Sequence, residues 1–261
     1  MRRHLRIYRM FVTSSFNREL EFRANFFAKL IQNVMWIGFA VAIVFVVFAN
    51  TKSIAGWSEP TVLVLTGTAA IMTSLSAGLF FSLMEIPQQV RLGTLDFVVT
   101  KPVDAQMWVS LRRVNFDQLG PLSFGVALLV YGLHTAHTHP DLLQWFAWLV
   151  LTGGALAMFY SLSLSLMTLA IWLVRVDNLW VLTETASSVS RTPVDVYPPV
   201  VQRFFLYFLP LAFLATMPAK ALIEGFNGTW LALGVLWAAV AIIASRMFWR
   251  YATRHYASAS S

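Results

Sequence analysis

Three closely spaced histidines, His134, His137 and His139, are of a type and spacing that could hold Zn²⁺ or Cu²⁺ as neutral imidazoles. The set is incomplete. Asp141 is the only carboxylate nearby and the chain contains no cysteine, so HTAHTHP reads better as a short polar turn and no metal is expected. The lack of cysteine also excludes disulfides and thiolate nucleophiles. No Ser/His/Asp arrangement stands out, carboxylates with useful pairing are missing, and the phosphate-cradling pattern G-x-x-x-x-G-K-[ST] does not occur. The chain is therefore not expected to be an enzyme or to bind a cofactor of its own. One carboxylate remains: Glu184, in the weakly apolar stretch NLWVLTETASSVS from Asn178 to Ser190. Inside a membrane such a group is a functional site by default, for example in an ion-coupled secondary transporter. The competing expectation is a neutral Glu, hydrogen-bonded at a helix contact beside Thr183 and Thr185.

The elements that must position these residues are set by composition. Of 261 residues, 58% are hydrophobic and 12% charged, against about 25% charged in a soluble domain. One water-soluble core of this size cannot hide so much apolar surface, and a bilayer supplies the alternative solvent. Five runs are long enough to span: Phe26 to Ala49, Thr61 to Met84, Asp117 to Leu133, Leu142 to Val174 and Trp230 to Trp249. Two segments compete for one further span. Asp177 to Arg191 is weakly apolar, while the stretch from Arg203 to Leu222 is apolar enough but interrupted by Pro210 and Pro218. In the first case the interrupted stretch folds as a re-entrant hairpin, which is tolerated at membrane depth only where protein or a wet cavity covers it. Either choice gives an all-α integral membrane protein of six transmembrane helices with both termini on one side.

Basic residues assign that side. Arg2, Arg3, Arg6, Arg9, Arg18, Arg23, Arg91, Lys101, Arg112, Arg113, Arg175, Arg246, Arg250 and Arg254 fall together, leaving Lys52 and Lys220, with Arg191 and Arg203 in the re-entrant arrangement, opposite. The positive-inside rule makes the larger set, and both termini, cytoplasmic. This bias accounts for the net charge of +7, and no soluble stretch is long enough to present a basic face to nucleic acid. No small-residue cleavage site follows the basic start MRRHLRIYRM, so no cleavable signal is expected. At 100° per residue, Arg2, Arg6, Arg9, Thr13 and Asn17 form one stripe and Leu5, Tyr8, Val12 and Phe16 another. Residues 1–24 thus read as an amphipathic helix lying in the interface, drawn to anionic lipid headgroups.

The cytoplasmic loop of residues 85–116 carries RLGTLDFVVTKPVD, Arg91 to Asp104. Pro87 ends the second span, Gly93 permits a turn, and Leu92, Leu95 and Phe97 offer apolar knobs among charges, a composition that suits a groove on a soluble partner. GTLDFVVTKP and, further on, YPPVVQRFFLYFLPLAFLATMPA resemble the corresponding patches of ABC-2 type permeases, of the six-span kind whose loop carries G-x-L-D-x-x-L-x-[KR]-P. Gly93, Leu95, Asp96, Lys101 and Pro102 match, and Val99 stands where leucine is usual. The resemblance covers the chain in segment order. It implies a single transmembrane domain over residues 1–261, the membrane subunit of an ATP-binding-cassette exporter in a bacterial inner membrane. Its loop would be a coupling helix seated in a cleft of a separate cytosolic ATPase, which holds ATP and Mg. A second permease subunit, a paralogue rather than a copy, is implied as well.

On this basis Glu85, Gln88, Arg91, Leu92, Gly93, Leu95, Asp96, Lys101 and Pro102 are expected to couple to the ATPase. Arg91 and Asp96 would make charged contacts, Gly93 the turn and Leu95 the apolar knob, so that a change at Leu95 uncouples transport while leaving insertion intact. The resemblance also selects Asp177 to Arg191 as the fifth span and makes 193–228 an outer re-entrant region. Small residues Gly67, Ser74 and Gly78, with Gly153 and Gly154, suit close helix approach, to a second subunit among others. Trp57, Trp108, Trp145, Trp230 and Trp249 fall near span ends, where indoles favour headgroups. Phe26, Phe27, Phe80 and Phe81 either face lipid or line a path for an amphipathic substrate. No residue selects among substrates. The rival functions are an ATP-independent secondary transporter using Glu184, a lipid enzyme, and a scaffold that moves nothing.

Overall fold

Each long apolar run folds as a helix, because away from water a helix satisfies every backbone N–H and C=O within its own segment. The structure, a computed structural model, describes residues 2–21, 23–101, 103–173, 179–189 and 191–256, without the side chains of 2–6, 18–21, 23, 25 and 180. Pro102, Asp177, Asn178, Ser190 and the side chains of Arg2 and Arg6 therefore lie outside the described residues. The helices are α1 (Arg2–Glu21), α2 (Arg23–Phe48), α3 (Glu59–Phe80), α4 (Ile86–Arg91), α5 (Asp96–Val99), α6 (Ala105–Leu111), α7 (Leu119–Thr135), α8 (Leu142–Thr168), α9 (Leu179–Val189), α10 (Pro199–Arg203), α11 (Thr216–Ile223) and α12 (Gly228–Arg254). No strand occurs among the described residues.

Five of these stretches are long and apolar enough to cross a membrane: Phe26–Phe48, Glu59–Arg91, Phe116–Thr135, Leu142–Ile171 and Gly228–Arg254. They coincide with the five runs read from composition. The second is 72% buried within the chain and the first 0% buried. Helix α3 is therefore the axis of the bundle, packed on α7 and α8, while α2 turns Phe27, Ile31, Met35, Trp36 and Phe39 outward. Helix α12 packs along α8, whose start is fixed by a capping box between Asp141 and Gln144. Gly67 lets α3 meet α7 at backbone distance, so this small residue serves a contact inside the chain rather than one to a second subunit. Gly154 approaches Gly234 of α12, while Gly153 has open space around it.

The stretch from Arg203 to Leu222 is not one straight helix. A widened turn at Phe204–Phe208 gives way to extended backbone at Leu209, a short tight turn at Leu211–Leu214 and then α11. Leu211, Ala212, Phe213, Leu214, Ala215, Ala219 and Leu222 are all buried, so protein covers the interruption, as irregular backbone in a membrane requires. Its flank is tied to the loop between α2 and α3. Asp195 accepts from Trp57 Nε1 at 3.0 Å and from Lys220 Nζ at 2.9 Å. Trp57 is only 5% exposed, which corrects its expected place at the headgroups: its N–H serves an internal carboxylate instead. Helix α9 has 11 described residues, about 16 Å at 1.5 Å per residue.

Candidate functional site

The second span does not stop at Pro87. After α3 the chain tightens into a single turn, Phe81–Glu85, and resumes as α4 with Pro87 in its opening turn, where the missing N–H is no loss. Gly93 then adopts φ +68°, a left-handed conformation that glycine enters without a Cβ penalty. The turn swings the chain back so that Leu95 N–H donates to Gln89 O at 3.2 Å, and the four-residue α5 begins at Asp96. Asp104 caps α6 by accepting from Met107 N–H at 2.9 Å.

What holds this excursion is a set of contacts to distant segments. The Glu85 carboxylate pairs with both Arg112 and Arg113, from the strand of chain returning to α7. Arg113 N–H donates to Ser82 Oγ at 2.8 Å, and Asn115 N–H to Gly78 O at 2.9 Å. Helix α1 braces the same segment: Ser15 Oγ accepts from Val114 N–H at 3.1 Å, and Phe11 sets its edge against Trp108 at 5.1 Å. Lys101 Nζ lies 3.6 Å from the Trp108 ring centre, a cation–π contact. From α12, Arg246 reaches Asp104 at 3.5 Å and Trp249 enters the apolar cluster beneath the loop, so Trp249, 3% exposed, is a core residue rather than a headgroup anchor. Burial first, and then the Asp96 carboxylate, push the hydroxyl of Tyr256 above its usual pKa.

The apolar knob expected at Leu95 lies inside the protein. Leu95 is fully buried among Leu83, Ile86, Val90, Val109 and Leu164, because the Gly93 turn folds it under the loop. Leu92 and Phe97 point outward, 62% and 70% exposed, and Gln88 and Arg91 share that outer surface. Lys101 is committed to Trp108, and Glu85 to the paired arginines. Arg9 is exposed on α1, as its polar stripe requires. Arg112, Arg113, Trp108, Arg246 and Tyr256 carry the framework and were not among the expected site residues. Nothing local marks them, since Arg112 stands 27 and Arg246 142 residues from their partners.

Glu184 also differs from expectation. It is not at a helix contact: its side chain is 53% exposed and pairs with Arg191 at 3.1 Å. The ion pair places Arg191 beside Glu184, while Thr183, 100° round α9 from Glu184, is the buried neighbour.

Removing the Glu85 charge tests the framework. Its side chain is 15% exposed and those of Arg112 and Arg113 are 26% and 40% exposed. Breaking a buried pair costs roughly 3–5 kcal/mol, so with Arg113 this wet, Glu85→Gln is expected to cost about 2 kcal/mol. Thermal unfolding in detergent should move down by several degrees. An unchanged midpoint would mean that the arginines do not hold the loop.

A family model described as ABC-2 family transporter protein matches residues 34–260, a span that includes the whole loop. No curated protein and no solved structure matches the chain.

Proposed function

The chain belongs to the ABC-2 family of transporters, and from that premise we propose that it is the permease subunit of an ATP-driven exporter whose loop docks on a cytosolic ATPase. The observation that carries this reading is the pairing of an exposed apolar tip with a rigid root. Leu92 and Phe97 project from a loop tied to α3, α12 and α1 at once. A tip seated in a groove of the ATPase would transmit its displacement through Glu85 to the second span and through Asp104 to the last. As a mechanism this is a two-state element biased by nucleotide. The ATPase supplies ATP and Mg, and the permease contributes no catalytic group.

Within the loop the roles divide by burial. Gln88, Arg91, Leu92 and Phe97 face the partner. Glu85, Gly93, Leu95, Asp96 and Lys101 hold the loop's shape. Six spans complete the topology, with α9 part of the fifth and residues 193–228 a re-entrant hairpin on the outer side. The contact between Asp195 and Trp57 supports that side, because residue 57 lies in the loop opposite the docking tip. The excess of basic residues on the loop side supports cytoplasmic termini in a bacterial inner membrane, with α1 lying among headgroups. A second permease subunit, a paralogue, would cover the outward face of α2.

Purifying the protein with its associated ATPase and assaying ATP hydrolysis tests the reading. Truncating an aromatic anchor costs an interface about 2 kcal/mol or more, roughly thirtyfold in affinity. The double variant Leu92→Asp, Phe97→Asp is therefore expected to keep its melting midpoint and lose the copurifying activity. Full retention of that activity would sink the docking assignment.

A further inference from the structure

Beside the root of the loop the bundle leaves a half-open cavity of about 380 Å³, whose lining includes the outward-turned Trp36. Five helices contribute to it: α2 brings Trp36, α3 brings Phe80, α7 brings Pro121, α8 brings Phe159 and Ser163, and α9 brings Thr183. We propose that this cavity is the loading site of the transporter and that it takes an uncharged amphipathic solute, a molecule with an apolar body and a hydroxyl-bearing head. The proposal rests on the transport function argued above and adds the substrate class to it.

Its polar demand comes from buried hydroxyls. Ser163 and Thr183 are 5% and 2% exposed, and among the described residues neither side-chain oxygen has a hydrogen-bond partner. Buried polar groups are nearly always paired, so the missing partner is supplied from the cavity. Two other hydroxyls along it are spent within their own helix: Thr73 donates to Ala69 O and Ser76 to Met72 O. The apolar demand is met by Trp36, Phe80, Phe81 and Phe159, so Phe80 and Phe81 take the path-lining role among the two weighed for them. The volume falls within the range of about 300–1,000 Å³ usual for small-molecule sites.

Charge selects against ions. Among the described residues, the charged side chains lining the cavity are Glu184 and Arg191, and they neutralise one another at 3.1 Å. An ionic solute would shed its hydration without meeting a net opposite charge. The cavity also touches the transmission path, because Phe81, Leu83 and Met84 belong to the turn that ends in Glu85. Displacement of the loop would thus move the cavity floor.

The absence of cysteine makes the test clean. Ser163→Cys is the reporter, and Thr168→Cys is its control on the same helix, fully buried with its hydroxyl donated to Leu164 O at 2.6 Å. Each variant, in lipid nanodiscs, is treated with uncharged methyl methanethiosulfonate alone or with hexyl glucoside, hexylammonium or hexyl sulfate. The reporter is expected to react at least about tenfold faster than the control, since thiol reactivity follows access. Hexyl glucoside should slow the reporter, and the two ions should not. In the reporter background, Thr183→Val should raise the glucoside concentration needed by about tenfold, the loss of one hydrogen bond. Equal rates at both cysteines, equal protection by an ion, or undiminished protection in Thr183→Val would overturn the proposal. No step uses the ATPase. Failure here with ATPase docking intact would therefore indict the cavity alone, and success with docking lost would indict the ATP-driven reading alone.

Discussion

Leu95→Asp will remove folded protein from detergent extracts instead of producing an inserted, uncoupled transporter. Leu95 is 0% exposed and packs among Leu83, Ile86, Val90, Val98 and Leu164, with Trp249 of the last helix in the same cluster. Deleting such a side chain costs about 2–5 kcal/mol in lost transfer and cavity. The aspartate adds a carboxyl that must stay unsolvated, or protonate, where no described partner faces it, a further cost of roughly 1–3 kcal/mol. The sum, on the order of 5 kcal/mol, rivals the whole stability of a typical domain. Size-exclusion profiles and melting curves of Leu95→Asp, Leu95→Ala and Phe97→Asp form the test. The expected order is aggregation, a folded but destabilised protein, and a profile like the parent's. A monodisperse Leu95→Asp with the parent's midpoint would show that the side chain is not packed beneath the loop. Loss of ATPase from Leu95→Asp alone therefore says nothing about docking, and Phe97 carries that question.

The second large effect is expected at Gly67. A Cβ there would lie 2.6 Å from Leu129 N, 2.8 Å from Leu129 Cα and 2.9 Å from Gly125 O. All of these are backbone atoms of α7, so no rotamer change relieves the clash and the helices must separate. The contact is reciprocal: a Cβ on Gly132 would meet Val64 N at 2.8 Å, and one on Gly125 would meet Ala70 Cβ at 3.0 Å. Close backbone approach through small residues is how membrane helices gain packing when lipid removes the hydrophobic drive between them. Overpacking costs about 1–3 kcal/mol where side chains yield, and here they cannot. Gly67→Val is expected at the upper end or beyond, read as loss of the thermal transition. Gly153→Ala serves as control: that site is open, and alanine gains up to about 1 kcal/mol of helix propensity. A normal melt for Gly67→Val would mean that α3 and α7 do not touch.

The two contrasts mark where local reading ended. Spans, loop and family pattern were legible because composition and periodicity are local: twenty apolar residues need a bilayer whatever their neighbours do. Gly93 was legible because a turn is local too, and its φ of +68° agrees with the role given to it. The inward or outward sense of Leu92, Leu95 and Phe97 was not. A loop with a four-residue helix has no sustained period from which a buried face can be inferred.

The sequence by itself determined that this chain is an all-helical membrane protein of the ABC-2 kind, with a charged loop between its second and third spans. The tertiary structure alone decided which residues of that segment are structural. It alone turned Glu184 towards Arg191 and gave Gly67 a partner within the chain. The physical reason is separation: Glu85 finds Arg112 across 27 residues, Asp104 finds Arg246 across 142, and Trp57 finds Asp195 across 138. Such pairings exist only once the helices have packed, because burial and charge compensation belong to the neighbourhood and not to the residue.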